Sequence, residues 1–137
     1  MKEQEIFDQL KPLLVEVLGV TPERINMGSV LVADLGAESI DLLDLSFRIE
    51  EHFQVTIEAN EIEREAKKRL PNGVYEKDGF LTADALVEIR RAAPELPADK
   101  IVQGLRKTDL PALLTVAFFV RLVARKLSAK TEGPAHA

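Results

Sequence analysis

The 137-residue sequence has no cysteine and no tryptophan, and aromatic residues make up only 5% of it. Without cysteine there is no disulfide scaffold, no thiolate zinc site and no cysteine nucleophile, so thiol chemistry requires a cofactor that brings the sulfur. So few aromatics argue against base-stacking platforms, and no nucleic-acid partner is expected. Long hydrophobic runs are missing too. The longest uncharged apolar stretch, Leu110 to Val120, covers 11 residues, against roughly 20 for a membrane-spanning helix. The start, Met1-Lys2-Glu3-Gln4-Glu5, is too polar and acidic for a secretory signal, and a cytoplasmic protein is expected. Common catalytic templates are absent: there is no glycine-rich phosphate loop and no cluster with metal-ligand spacing. The two histidines, His52 and His136, stand at a helix end and in the tail and read as solvated.

What is present is 46% hydrophobic and 30% charged residues, the balance of a soluble globular chain with one domain. The net charge of −5 divides unevenly. Residues 1–65 carry 15 Asp/Glu and 5 Lys/Arg, and residues 66–137 carry 8 and 13, which suggests an acidic working surface joined to a basic appendage. In the basic half, Lys67, Lys68, Arg69, Arg90, Arg91, Arg106 and Lys107 read either as a solvated face or as a contact for a membrane surface or an acidic partner.

Along the chain, Ile6, Leu10, Leu13, Leu14 and Val17 recur at three- and four-residue steps from Glu3 to Leu18, the period of a helix with one buried face, and Gly19 ends it. Thr21-Pro22 opens a single helical turn within a long loop, which Leu31 and Leu35 pin to the core. A second helix is predicted from Ser39 to His52 or Phe53. It has two apolar stripes: Leu42, Leu45, Ile49 and Phe53 form one, and Ile40, Leu43 and Phe47 the other. One stripe faces the core. The other either edges a binding surface beside Asp41, Asp44 and Glu51 or is buried as well, and periodicity favours neither.

Ile62, Ala66 and Leu70 mark a third helix closed by Pro71-Asn72-Gly73. Residues 74–81 place a turn dipeptide between apolar pairs, the pattern of a small hairpin. Thr82 caps a helix carrying Leu86 and Ile89, and Asp99 to Leu105 reads as a further short helix. The last helix is expected to start after Thr108-Asp109, with Pro111 near its beginning, and to run to about Leu127. It is apolar almost all round. Residues 128–137 read as a disordered tail.

One segment carries a chemical signal, Asp34-Leu35-Gly36-Ala37-Glu38-Ser39-Ile40-Asp41. Gly36 allows a sharp turn, and Ser39 then opens the amphipathic helix, where unpaired backbone N–H groups and the helix dipole favour a phosphate. An ordinary serine N-cap accounts for the same residue, and on periodicity alone it is the simpler reading.

The stretch from Leu31 to Ile57 resembles an acyl carrier protein. The family's Asp-Leu-Gly-x-Asp-Ser-Leu-Asp motif is matched by Asp34 to Asp41, with Glu38 and Ile40 as substitutions that keep charge or bulk. The likeness continues through Leu42-Leu43-Asp44-Leu45, Phe47 and Ile49-Glu50-Glu51-His52-Phe53. It includes Val20-Thr21-Pro22-Glu23-Arg24-Ile25 before the loop, and Thr115-Val116 resembles the opening of the family's final helix. Arg48 departs from the pattern by placing a positive charge on an acidic helix, with Asp44 and Glu51 at helical spacing to neutralise it. The interval from Ser39 to Thr115 is also longer than ordinary members need. The phrase Asp44-Leu45-Ser46-Phe47-Arg48-Ile49, with the long segment after it, is similar to specialised carriers such as those for very-long-chain acyl groups of lipid A.

The resemblance implies an all-α fold: a four-helix bundle with extra helices inserted before the last, as one domain over 1–127 with the insertion at about 59–108. It implies a carrier rather than an enzyme. Ser39 would take 4′-phosphopantetheine from coenzyme A through a phosphopantetheinyl transferase, becoming a phosphoprotein whose arm holds an acyl chain as a thioester. Acyl-transferring and fatty-acid-synthesis enzymes would dock on Glu38, Ile40, Asp41, Leu43, Asp44, Phe47 and Glu51. The bound chain would lie between helices against Leu45 and Ile49, and the insertion and apolar last helix would suit a long or dedicated acyl group. Two alternatives remain: a carrier of amino or aryl groups, and a non-carrier helical interaction module in which Ser39 is only a helix cap.

Overall fold

The spacing of Ile6, Leu10 and Leu14 produces the expected first helix. In the computed structural model, which describes residues 1–58, 60–70 and 73–132, α1 spans Glu3–Leu18 and buries all three side chains. Its Gly19 C-cap is left-handed, with φ of 68°, and donates its N–H to the Val15 carbonyl. A left-handed turn favours glycine because it has no Cβ to clash with the carbonyl. After a 3-10 turn at Pro22–Arg24 comes α2, Leu31–Leu35, where only a pinned loop is expected from sequence. Leu31 and Leu35 are buried, as anticipated, and their burial is what fixes this short helix.

Helix α3 spans Ser39–Phe53, followed by α4 over Glu61–Lys68. The strands β1, Glu76–Lys77, and β2, Phe80–Leu81, form the anticipated hairpin, pairing Glu76 with Leu81 and Lys77 with Phe80. Asp78 and Gly79 both have positive φ, the backbone of a tight turn that matches the twist of the strands. Helix α5, Ala83–Ala92, is capped by Thr82, whose hydroxyl accepts the Ala85 N–H at 3.2 Å. The architecture is therefore helical apart from this small hairpin. Four helices, α1, α2, α3 and α6 (Val116–Glu132), surround the inserted α4 and α5 in sequence.

The backbone divides into two compact units. Met1–Ile57 and the chain from Thr115 onward make the terminal unit; Glu58–Leu114 makes the inserted unit, over the interval where the sequence places an insertion at about 59–108. The charge pattern is redistributed accordingly. Residues 58–114 hold 11 Asp/Glu and 10 Lys/Arg, so the inserted unit is nearly neutral rather than a basic appendage. Much of the basic excess belongs to Arg121, Arg125, Lys126 and Lys130 on α6.

Three other expectations are corrected. Asp99 to Leu105 is not a helix: a 3-10 turn covers only Ala98–Lys100, and Leu105 lies beside β2, accepting the Leu81 N–H at 3.0 Å. The last helix does not begin after Asp109. Lys107–Leu113 is a 3-10 segment containing Pro111, Leu114 is extended, and α6 begins at Val116. Thr115 supplies the cap, its hydroxyl accepting the Phe118 N–H at 3.1 Å. The first amides of α6 donate to the loop before α2, Val116 to the Ser29 carbonyl at 3.0 Å and Ala117 to Met27 at 2.9 Å. This satisfies donors that a helix start otherwise leaves open. At its other end α6 continues past Leu127 to Glu132, and residues 133–137 of the expected disordered tail lie outside the described residues, as do His136 and the Pro71-Asn72 stop.

Candidate functional site

The site is assembled by the approach to α3. Asp34 Oδ2 accepts the Val30 N–H at 2.7 Å, and the Asp34 carbonyl accepts from Arg24 Nη2 at 2.9 Å. This carboxylate braces the turn before the serine. Gly36 ends α2 with φ of 73°, and the Gly36 and Ala37 N–H groups donate to the Val32 and Leu31 carbonyls. Ala37 is buried, so the chain is anchored immediately before it emerges at Glu38.

Glu38, not Ser39, is the N-cap of α3. Asp41 Oδ2 accepts the Glu38 N–H at 2.9 Å, and the Glu38 carbonyl accepts from Asp41 and Leu42. Ser39 is the first helical residue and is exposed. Among the described residues its hydroxyl has no hydrogen-bond partner, and no carbonyl accepts the Ser39 or Ile40 N–H. An accessible hydroxyl thus stands beside open amides at the positive end of a helix. These groups fit a phosphodiester: the hydroxyl could be esterified, and the open amides and the dipole would favour an anion beside it.

The two stripes of α3 are separated by the fold. Leu45, Ile49 and Phe53 are buried, whereas Ile40, Leu43 and Phe47 are 69%, 55% and 60% exposed. The second stripe is therefore a surface feature on the helix that Ser39 opens. Glu38, Asp44 and Glu51 are exposed with it, and Asp41 is half-buried. The docking residues expected from sequence thus share one helix, with Asp41 doubling as a brace for the cap.

Arg48 is paired more extensively than sequence suggests. Its Nε lies 3.3 Å from Asp44 Oδ1, and its Nη1 lies 2.7 Å from Glu16 Oε2 on α1. Glu51, the other expected partner, is not engaged. Beside this triad, His52 Nε2 is 2.9 Å from Gln9 Oε1. Leu13, Phe47, Glu51 and His52 line an open groove of about 670 Å³ together with the triad. Glu16 and Gln9 were invisible to motif reading because they come from another helix. The described residues contain no His/Asp/Glu cluster able to hold a metal ion, and no helix long and apolar enough to cross a membrane.

The cations of the inserted unit are largely engaged within it. Lys107 Nζ is 2.9 Å from Glu63 and 3.1 Å from Glu76; Lys67 pairs with Glu63, Lys68 with Glu65, and Arg91 with Glu88. Arg90 donates to the Ile101 carbonyl, and Arg106 lies over the Phe80 ring.

Residues 8–66 match the family model for a phosphopantetheine attachment site. The matched stretch contains the whole turn from Asp34 to Asp41 and ends within α4. The chain is also similar to acyl carrier proteins: it is 41% identical over 59 residues to that of Campylobacter fetus subsp. fetus, covering 43% of this chain and 77% of the relative. The Wolinella succinogenes acyl carrier protein is 43% identical over 59 residues, covering 43% and 78%. That of Petrotoga mobilis is 34% identical over 64 residues, covering 47% and 75%.

Proposed function

The chain belongs to the acyl carrier protein family, whose members carry a covalent 4′-phosphopantetheine, and from that premise we propose that Ser39 is the attachment point. The observation that carries this assignment is the exposed Ser39 hydroxyl, free of intramolecular hydrogen bonds, one residue inside a helix whose cap is Glu38. When bound, the group supplies the thiol that the polypeptide lacks and holds an acyl chain as a thioester. Gly36 and Asp34 fix the turn, and the open amides of Ser39 and Ile40 receive the phosphate. The protein catalyses no reaction itself. Working in the cytoplasm, it meets a phosphopantetheinyl transferase and enzymes of fatty acid or specialised lipid synthesis.

In this reading Ile40, Leu43 and Phe47 give partner enzymes an apolar contact, while Glu38, Asp41, Asp44 and Glu51 steer basic surfaces toward it. Attraction of this kind is weak and salt-sensitive, which suits a carrier that must leave each enzyme quickly. Leu45 and Ile49 are closed against water, so an acyl chain lodged against them has to part the helices.

Incubation with coenzyme A, magnesium and a phosphopantetheinyl transferase, followed by intact mass measurement, tests the assignment. One phosphopantetheine is expected on the wild type and none on Ser39→Ala. A gain that persists in Ser39→Ala overturns the attachment point. No gain on a folded wild type returns the protein to the class of helical interaction modules.

A further inference from the structure

Resting on the carrier reading, we propose that Arg48 determines partner choice by masking the central acidic contact of α3, selecting enzymes with an apolar socket and little positive charge. The guanidinium spans two carboxylates from different helices, Asp44 at 3.3 Å and Glu16 at 2.7 Å. Its planar fork serves both at once, which a lysine ammonium does less well. Asp44 is one turn from Ile40 and flanks the apolar stripe beside Phe47 on the helix surface. A basic residue on a partner that approaches Asp44 must therefore compete with Arg48 and also meets its positive charge.

The apolar stripe carries no comparable restriction. Ile40, Leu43 and Phe47 are each more than half exposed, and Phe47 borders the groove that contains the ion triad. The helix is thereby divided: Glu38 and Asp41 remain acidic at its start and Glu51 near its end, but in its middle the Asp44 carboxylate is paired with Arg48 beside the apolar stripe. A partner that relies on a cation at the middle loses attraction there, whereas one that offers a pocket to Phe47 does not. Because the three charged side chains are all substantially solvent-exposed, the expected effect is on encounter rate and salt dependence more than on the lifetime of the complex.

The test uses the full chain, coenzyme A and a phosphopantetheinyl transferase with a basic docking patch, and measures both loading rate and binding between about 20 and 300 mM salt. Arg48→Gln, which keeps the polar stem, and Arg48→Ala are expected to load about threefold faster at the lowest salt and to lose rate more steeply as salt rises. Asp44→Asn should slow loading more in the Arg48→Gln background than in the wild type. Circular dichroism checks that each variant is folded, and either Arg48 variant alone suffices for the comparison. Unchanged rates with an unchanged salt slope, or slower loading by a folded variant, overturn the proposal. If Ser39 of the wild type is not loaded at all, the carrier reading fails instead, while binding of the transferase to the wild type and Arg48→Gln still reports whether Arg48 masks Asp44.

Discussion

In the terminal unit, the deepest side chains are aliphatic, among them Ile6, Leu10, Leu14, Leu45, Ile49 and Val120. Among its described residues, the buried polar side chains Ser29 and Thr115 are hydrogen-bonded, accepting the Asn26 and Phe118 N–H groups. The inserted unit also buries Ile89 and Ile101, but it adds Tyr75 and Glu88. Among the described residues, the Tyr75 hydroxyl and one Glu88 carboxylate oxygen are buried without a hydrogen-bond partner. Such groups lose hydration without a compensating bond, so each weakens its unit. The contrast is between a core whose buried polar side chains are hydrogen-bonded, in the unit that contains Ser39, and an apolar core that also encloses unpaired polar atoms, in the insertion.

The largest effect is expected from Ile49→Ala. Ile49 is fully buried on the core face of α3, and removal of such a side chain costs about 3 kcal/mol, within a range of about 2 to 5. Amide hydrogen exchange should show faster opening in α1, α3 and α6 while α4 and α5 keep their protection. Equal loss in all five helices would merge the two units into one cooperative structure and break the comparison.

Alkaline titration sharpens the comparison from the other side. Burial first, and then the Glu63 carboxylate, push the Tyr75 hydroxyl from 10.0 up to about 12. The unfolded chain therefore gives up this proton at a pH where the folded unit still holds it. The inserted unit loses stability as pH rises from about 10 to 12, by roughly 2 to 3 kcal/mol at full extent. Lys107 acts in the same direction. Hydrogen bonds to Glu63 and then Glu76 raise its pKa above 10.5, and the stability from that pairing is present below 10.5 and lost as pH passes the raised value. Tyr75 is the only tyrosine, so absorbance follows its ionisation directly. Titration near 10 in the folded protein would contradict a buried hydroxyl. Tyr75→Phe should be neutral or slightly stabilising at pH 7 and should flatten the alkaline loss.

Where the fold was legible, the signal was local. The periods of α1 and α3, the Thr82 cap and the Asp78-Gly79 turn depend on neighbours within a few residues. The period of α3 could not say whether one stripe or two would be buried, because that depends on how much surface other helices cover. The start of α6 was misplaced for a related reason. Thr108-Asp109 with Pro111 is a good local start signal, but the helix is positioned by Thr115 and by Ser29 and Met27 carbonyls more than 80 positions away. The likeness of Thr115-Val116 to the family's final helix located that start where capping rules did not. At the site, Ser39 and the acidic and apolar faces of α3 were legible from one motif and one helical period. The Glu16–Arg48 pair was not, since it requires knowing that α1 lies beside α3. The charge halves misled because a division at residue 65 cuts through α4 and adds the cations of α6 to an insertion that is nearly neutral.

The smallest effect is expected at the ion pair between α1 and α3. Glu16 and Arg48 side chains are 63% and 41% exposed, so water screens their attraction and holding two long side chains in one geometry costs entropy. Glu16→Gln should alter the unfolding free energy by no more than about 0.5 kcal/mol, measured by denaturant titration at low and high salt. Arg48 keeps its second carboxylate, Asp44, in the variant, which limits the loss further. If Glu16→Gln instead destabilised the terminal unit as much as Ile49→Ala, the pair would be a structural fastening between the helices. The terminal unit would then rest partly on charge, and the position of α3 would depend on salt. A small effect leaves α3 held by its apolar face, and leaves Glu16 and Arg48 free to act on what approaches from outside.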